Sequence, residues 1–324
     1  SSAASDVYKR QRLPYVMSWS GGVQYAFRQN WMMELQYQGQ SGVGLVNNWN
    51  INTLPLNVSS DPAVLNQIFA AQQNYLPFTN FGSINHFSNY GHNSYHGGTV
   101  RVEKRMSAGL TFNSFYTWSK TLTETEAETG DNGITFYNRR LEKARASYDV
   151  RHRFVTVMSY ELPFGKGRRW MSGGGASNLA FGGWQLTWTQ TLQSGPPFTV
   201  SFAGSPNRYL PGESRPNILT TNQAALVDNW ELGANRFPTQ AQNPYLNASS
   251  FAYPAPFTAG TLGRNTFEGP GLLWTQLSIA KWWTVKEKYR FQVRLDGNNF
   301  PIKQPQFSDP NGSFNLNNLG AFAR

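Results

Sequence analysis

From Trp184 to Gln193 the chain reads Trp-Gln-Leu-Thr-Trp-Thr-Gln-Thr-Leu-Gln, apolar at most even positions and polar but uncharged at every odd one. Successive side chains of an extended chain point to opposite faces, so this segment meets two environments. The rhythm returns at Tyr289, Phe291, Val293 and Leu295, set against Arg290, Gln292, Arg294 and Asp296. Tyr15, Met17, Trp19, Val23 and Tyr25 oppose Ser18, Ser20, Gln24 and Ala26, with Val16 crossing over. Trp31, Met33, Leu35 and Tyr37 oppose Glu34, Gln36 and Gln38, with Met32 the exception. Leu110, Phe112, Tyr116 and Trp118 oppose Thr111, Asn113, Thr117 and Ser119, while Ser114 and Phe115 cross. Leu273, Thr275, Leu277 and Ile279 oppose Gln276, Ser278 and Ala280. A period of two is weak in any one segment and gains force in series.

The pattern predicts eight strands, over residues 14–27, 31–40, 95–104, 109–121, 150–162, 183–194, 272–283 and 288–299. Short polar turns join them in pairs, around Arg28-Gln29-Asn30, Arg105-Met106-Ser107-Ala108 and Thr284 to Glu287, which favours antiparallel hairpins. A longer turn runs from Pro163 through Gly173-Gly174-Gly175. Long connections occupy 41–94, 122–149 and 195–271. The first is expected to hold a helix, with Asp61 as N-cap, Pro62 at the first position and Ala63 to Gln72 following. The last, rich in Pro, Asn, Gly and Ser, reads as loop with short strands of its own. No repeat of fixed period points to a propeller or solenoid.

Short turns at one end, long loops at the other and alternating strands are the signature of an antiparallel transmembrane β-barrel in an all-β fold. Composition agrees. Charged residues are 14% of the 324, against roughly 25% in soluble proteins, and aromatics reach 15%. Mean hydropathy is −0.50, as a barrel allows, because only alternate strand residues meet lipid. No apolar run approaches the roughly 18 residues of a membrane helix. Cys is absent, and the net charge of +10 is expected on solvated loops and turns. No basic cluster accompanies a nucleic-acid motif, so no nucleic-acid partner is expected.

On this reading Trp19, Tyr25, Trp31, Tyr37, Phe112, Tyr116, Trp118, Trp184, Trp188, Tyr289 and Phe291 face lipid or form its aromatic girdles. Trp282 and Trp283 join them at a strand end, and Trp170 does so at a turn. Gln36, Thr187, Thr189, Thr191, Arg290, Gln292, Arg294 and Asp296 face the lumen, the last charges as a ladder between strands. His86, His92 and His96 lie in a predicted loop without the ligand spacing of a zinc site. Glu124, Glu126, Glu128 and Asp131 read as a solvated acidic run. Gly165-Lys166-Gly167 lacks the strand, Gly-Lys-Ser/Thr ending and helix of a phosphate loop. No catalytic, metal or cofactor site is expected. A soluble secreted β-sandwich that binds glycans is the competing architecture; it needs two sheets packed face to face.

Several phrases resemble one family. Glu103-Lys104-Arg105-Met106-Ser107-Ala108-Gly109-Leu110-Thr111-Phe112, leading to Tyr116-Thr117-Trp118-Ser119-Lys120, is similar to the barrel of Oar-like TonB-dependent receptors of acidobacterial type. So are Asp149-Val150-Arg151-His152-Arg153-Phe154 with Tyr160 to Arg168, Gly263-Arg264-Asn265-Thr266-Phe267-Glu268-Gly269-Pro270-Gly271, and Leu13-Pro14-Tyr15-Val16. The resemblance implies that residues 12–324 are the C-terminal portion of a barrel with about 22 strands, whose wide lumen needs a plug. It further implies outer-membrane lipid around the wall, external loops that capture a ligand, and contact with TonB through an N-terminal part. Signal peptide, plug and the closing aromatic residue of the last strand are not seen, and residues 1–11 resemble a translated adapter.

Overall fold

The computed structural model describes residues 13–126, 133–173, 175–201, 215–226, 246–285, 288–299 and 314–315. Eight long strands follow in order: β1 Tyr15–Arg28, β2 Trp31–Asn50, β3 Asn85–Ser107, β4 Leu110–Thr123, β5 His152–Glu161, β6 Trp184–Gln193, β7 Leu272–Val285 and β8 Tyr289–Asn298. They form one sheet in that same order, each antiparallel to its neighbours, with a two-residue strand, Ala144–Arg145, added beside the end of β4. All eight predicted strands are present, and the sheet's remaining edges, β1 and β8, do not meet. The other ladders are two residues long, so among the described residues no second sheet covers either face as a sandwich would require.

Two elements exceed the sequence expectation. Residues 41–50 and 85–94, predicted as loop, extend β2 and β3 outward, paired from Gly42↔Asn93 to Asn50↔Asn85 with irregularities near Leu45. Backbone pairing carries this hairpin on although its large apolar residues, Val43, Leu45, Val46, Trp49, Phe87 and Tyr90, are scattered among Ser, Gly and Asn and the ladder is irregular at Leu45. Within the connection that follows, α1 runs Pro62–Ala70 with Asp61 accepting from the Ala63 amide at 2.8 Å. It ends before Gln72, where a 3-10 turn takes over. A second short helix, α2 Ala176–Phe181, sits in the turn between β5 and β6 that the sequence presented as irregular.

Most of the fully buried apolar side chains lie off the sheet, although Trp49, at the outer end of β2, is buried too. One cluster gathers Phe198, Val200, Ala225, Leu246, Phe251, Leu262 and Phe267 from the longest connection. Another joins Leu54 and Ile68 to Phe257. Between them the three long connections form a folded cap at one end of the sheet, while the apolar sheet face stays open. Leu295 is 71% exposed and Val293 63%.

Gly183, at the start of β6, has φ 72° and would place a Cβ 2.3 Å from the Trp282 carbonyl oxygen, which a side chain elsewhere cannot relieve. Gly183→Ala is expected to cost about 1–3 kcal/mol in urea unfolding of the detergent-folded chain. Gly173→Ala, with open space around it, should leave the midpoint unchanged.

Candidate functional site

Register decides which side chains share a face. Directly paired residues lie on the same side of a sheet, and the pairing runs without a slip from β1 to β8 through its central rows. One row reads Tyr37, Gly98, Trp118 and His152. Another reads Phe112, Met158, Trp188 and Leu277, and a third Tyr160, Leu186, Ile279 and Leu295. Trp19, Tyr25, Trp31, Tyr37, Phe112, Tyr116, Trp118, Trp184, Trp188, Trp283, Tyr289 and Phe291 therefore all lie on one apolar face. Gln36, Thr187, Thr189, Thr191, Arg290, Gln292, Arg294 and Asp296 all lie on the other.

Trp282 departs from its predicted place. Adjacent strand residues cannot share a face, and it stands on the polar side opposite Gln292, its Nε1 donating to Gln185 Oε1 at 3.3 Å. The predicted charge ladder is also altered: Arg294 pairs with Asp296 along its own strand at 2.9 Å, and the cross-strand bond to Asp296 comes from Ser278. The polar face holds another small network, in which Arg101 meets Glu103 at 3.2 Å and Asn113 at 3.0 Å.

Two lysines on the apolar face escaped the sequence reading. Lys104 and Lys281 are 8% and 6% exposed. Lys281 Nζ donates to the Ala180 and Gly182 carbonyls at the end of α2, and lies 4.6 Å from the Trp184 ring centre and 5.4 Å from that of Trp283. Lys104 Nζ donates to the Ser107 and Leu110 carbonyls of the neighbouring turn and lies 5.9 Å from Trp31. Both ammonium groups thus reach from the apolar face to the turns at its rim, as amphipathic side chains do at an apolar boundary. The small polar side chains Ser114 and Thr156 also interrupt this face; they bond each other at 2.8 Å and are buried among their neighbours.

Toward the opposite rim, Tyr37 bonds His96 at 2.8 Å and Tyr116 bonds His152 at 2.7 Å, each pair stacked. His86, His92 and His96 belong to β3 rather than to a loop, and they diverge: His86 meets the Phe136 ring and His92 approaches Glu124 at 3.6 Å. Among the described residues no group of three His, Cys, Asp or Glu gathers into a metal site. Gly165 and Gly167 occupy left-handed turn conformations, with Lys166 donating its amide to Asn178 Oδ1.

The cap is tied together by ions. Arg145 donates to Asp149 and Glu268, each at 2.8 Å, and Asp149, fully buried, accepts from the Thr121 amide. Arg264 meets Glu126 at 3.3 Å and the Thr123 carbonyl at 2.7 Å; Asn265 donates to the Arg145 carbonyl; Arg215 pairs with Glu142 at 3.0 Å. Burial opposes the charge of Arg145, but hydrogen bonds and charges from Asp149 and Glu268 outweigh it and raise its pKa. Glu126 is accordingly a structural anchor that also accepts from Ser147, not a solvated loop acid. Glu128 and Asp131, and residues 1–11, lie outside the described residues. The sequence hint was present: Asp149 belongs to one of the phrases that carry the resemblance, and Arg264, Asn265 and Glu268 to another. Those phrases meet in space.

The sequence model for the family described as outer membrane beta barrel domain matches residues 1–324, and the chain belongs to that family. Its place is the outer membrane of a Gram-negative bacterium. No curated protein matches the sequence. Among solved structures it is similar to the outer membrane transporter YddB from Escherichia coli, with a TM-score of 0.39 and 9% identity. That match covers 85% of this chain and 27% of the transporter, so the chain spans about a quarter of that protein's length.

Arg145→Met leaves Asp149 buried without its counter-ion and is expected to cost about 3–5 kcal/mol. It should also admit protease to residues 195–271 at lower urea. Arg168→Met removes only a half-exposed pair with Glu161 and should cost less than about 1 kcal/mol.

Proposed function

We propose that the chain is the C-terminal wall of a TonB-dependent receptor barrel of Oar-like, acidobacterial type, whose external loops capture a ligand for import. One observation carries this reading: a face of aromatic and aliphatic side chains continuous across eight strands, uncovered, with a polar face behind it. In water each such side chain would forgo about 1.5–3 kcal/mol, so the face belongs against lipid and the polar face against the lumen. The ten residues of β6 span about 30 Å, or about 23 Å along the membrane normal at a tilt of about 40°, close to the apolar band of a barrel. Lys104 and Lys281 then mark the periplasmic rim beside the short turns, and the folded cap is external. Residues 12–324 supply this portion of the barrel, with residues 1–11 derived from an adapter. TonB engages an N-terminal part of the receptor. A β-sandwich is disfavoured because, among the described residues, only one sheet is extensive.

The chain's lack of cysteine makes the faces directly testable. In outer membranes, Cys introduced at Thr187, Thr189 or Gln292 should react with a water-soluble thiol reagent. Cys at Leu186, Val293 or Leu295 should react only with a lipid-soluble one. The band should also migrate differently on gels before and after heating. Labelling of both sets alike by the water-soluble reagent, with a soluble chain, overturns the assignment.

A further inference from the structure

Where the connections after β4 and β6 meet, the cap forms a half-open pocket of about 380 Å³. Its wall includes Arg140, Lys143, Arg145, Arg151, Arg215 and Arg264 and, among the described residues, no carboxylate. The rest of the wall is small or neutral, chiefly the run from Ala259 to Thr266. The carboxylates that balance this charge sit behind the wall: Asp149 and Glu268 on Arg145, Glu142 on Arg215, and Glu126 on Arg264. Arg140, Lys143 and Arg151 form no ion pair among the described residues. Arg145 keeps its Nη2 buried without an acceptor even though its Nε and Nη1 are both bonded. Three cations held from behind by acids, beside three that carry no counter-ion among the described residues, make this wall a partly preorganised anion site.

We infer that this cavity binds a small soluble polyanion, a solute carrying two or more carboxylate or phosphate groups, and that it is the ligand-selecting element of the cap. Arg145, Arg215 and Arg264 are held by their ion pairs and shape the wall. Arg140, Lys143 and Arg151 supply the charge that the ligand neutralises. The volume lies at the lower end of the range for ligand pockets, which fits a compact molecule rather than a long polymer. The inference rests on the external placement of the cap, but the binding step can be read without transport.

The test uses the detergent-folded chain and calorimetric titration with propane-1,2,3-tricarboxylate and inorganic phosphate, with glycerol as the neutral control. Saturable binding of the tricarboxylate, weakened by salt and absent for glycerol, is expected. The triple variant Arg140→Gln, Lys143→Gln, Arg151→Gln should bind at least about tenfold more weakly, since it removes the charges that the ligand neutralises. Its urea midpoint should be unchanged, because none of the three takes part in the structural ion pairs. Lys166→Gln with Arg169→Gln, at the opposite end of the sheet, should bind as the parent does. Equal affinity in the triple variant, equal binding of glycerol, or no saturable binding overturns the inference. Binding confined to vesicles bearing lipid A, lost when its phosphates are removed, also overturns it, because the phosphates would then come from the membrane. If titration fails while the two-faced thiol labelling holds, only the anion site falls; if the labelling fails, the barrel reading falls instead.

Discussion

The structure depends on register. An antiparallel sheet whose faces meet lipid and water tolerates no one-residue slip, because a slip would send every aromatic of that strand to the wrong solvent. From β1 to β8 the central rows stay in step, so that Trp19, Leu35, Val100, Tyr116, Phe154, Leu192 and Leu273 all remain on one side. Irregularities gather at the ends, near Arg28 and Ser107 at the turns and around Leu45 in the outward hairpin.

The cap obeys a different logic. Its connections leave the sheet's apolar face uncovered and build their own cores around Phe198, Val200 and Phe267 and around Ile68 and Phe257. Small cores of this kind rarely suffice alone. Buried ion pairs among Arg145, Asp149, Glu268, Arg215, Glu142, Arg264 and Glu126 add geometric definition, since each arginine fork accepts only one arrangement of partners. Asn52 serves the first connection similarly, its side-chain amide donating to the Phe78, Phe81 and Gly82 carbonyls while its oxygen accepts from the Phe78 amide. Fixed cations toward one cavity are the by-product that gives the cap a chemical character.

Strands, turns and α1 were legible because their signals are local: period-two alternation, polar turn residues, and the Asp61-Pro62 start. The outward halves of β2 and β3 were not, because the ladder slips at Leu45 and frequent Ser, Gly and Asn break the run of alternating apolar residues. Trp282 was misplaced by treating a Trp-Trp pair as one girdle, although the same alternation that found the strand assigns the two rings to opposite sides. Glu126, in the acidic run, looked solvated for want of any sign of Arg264, which is well over a hundred residues away.

The sequence by itself determined that this is a wall of antiparallel strands with one apolar and one polar face, because side-chain alternation is a property of each strand alone. It also determined where the short turns and long connections fall. Only the tertiary structure decided which residues stand side by side across the sheet, how Lys104 and Lys281 find carbonyls at its rim, and which carboxylate meets which arginine in the cap. Those pairings are made between segments far apart in the chain, and no local pattern encodes the distance between them.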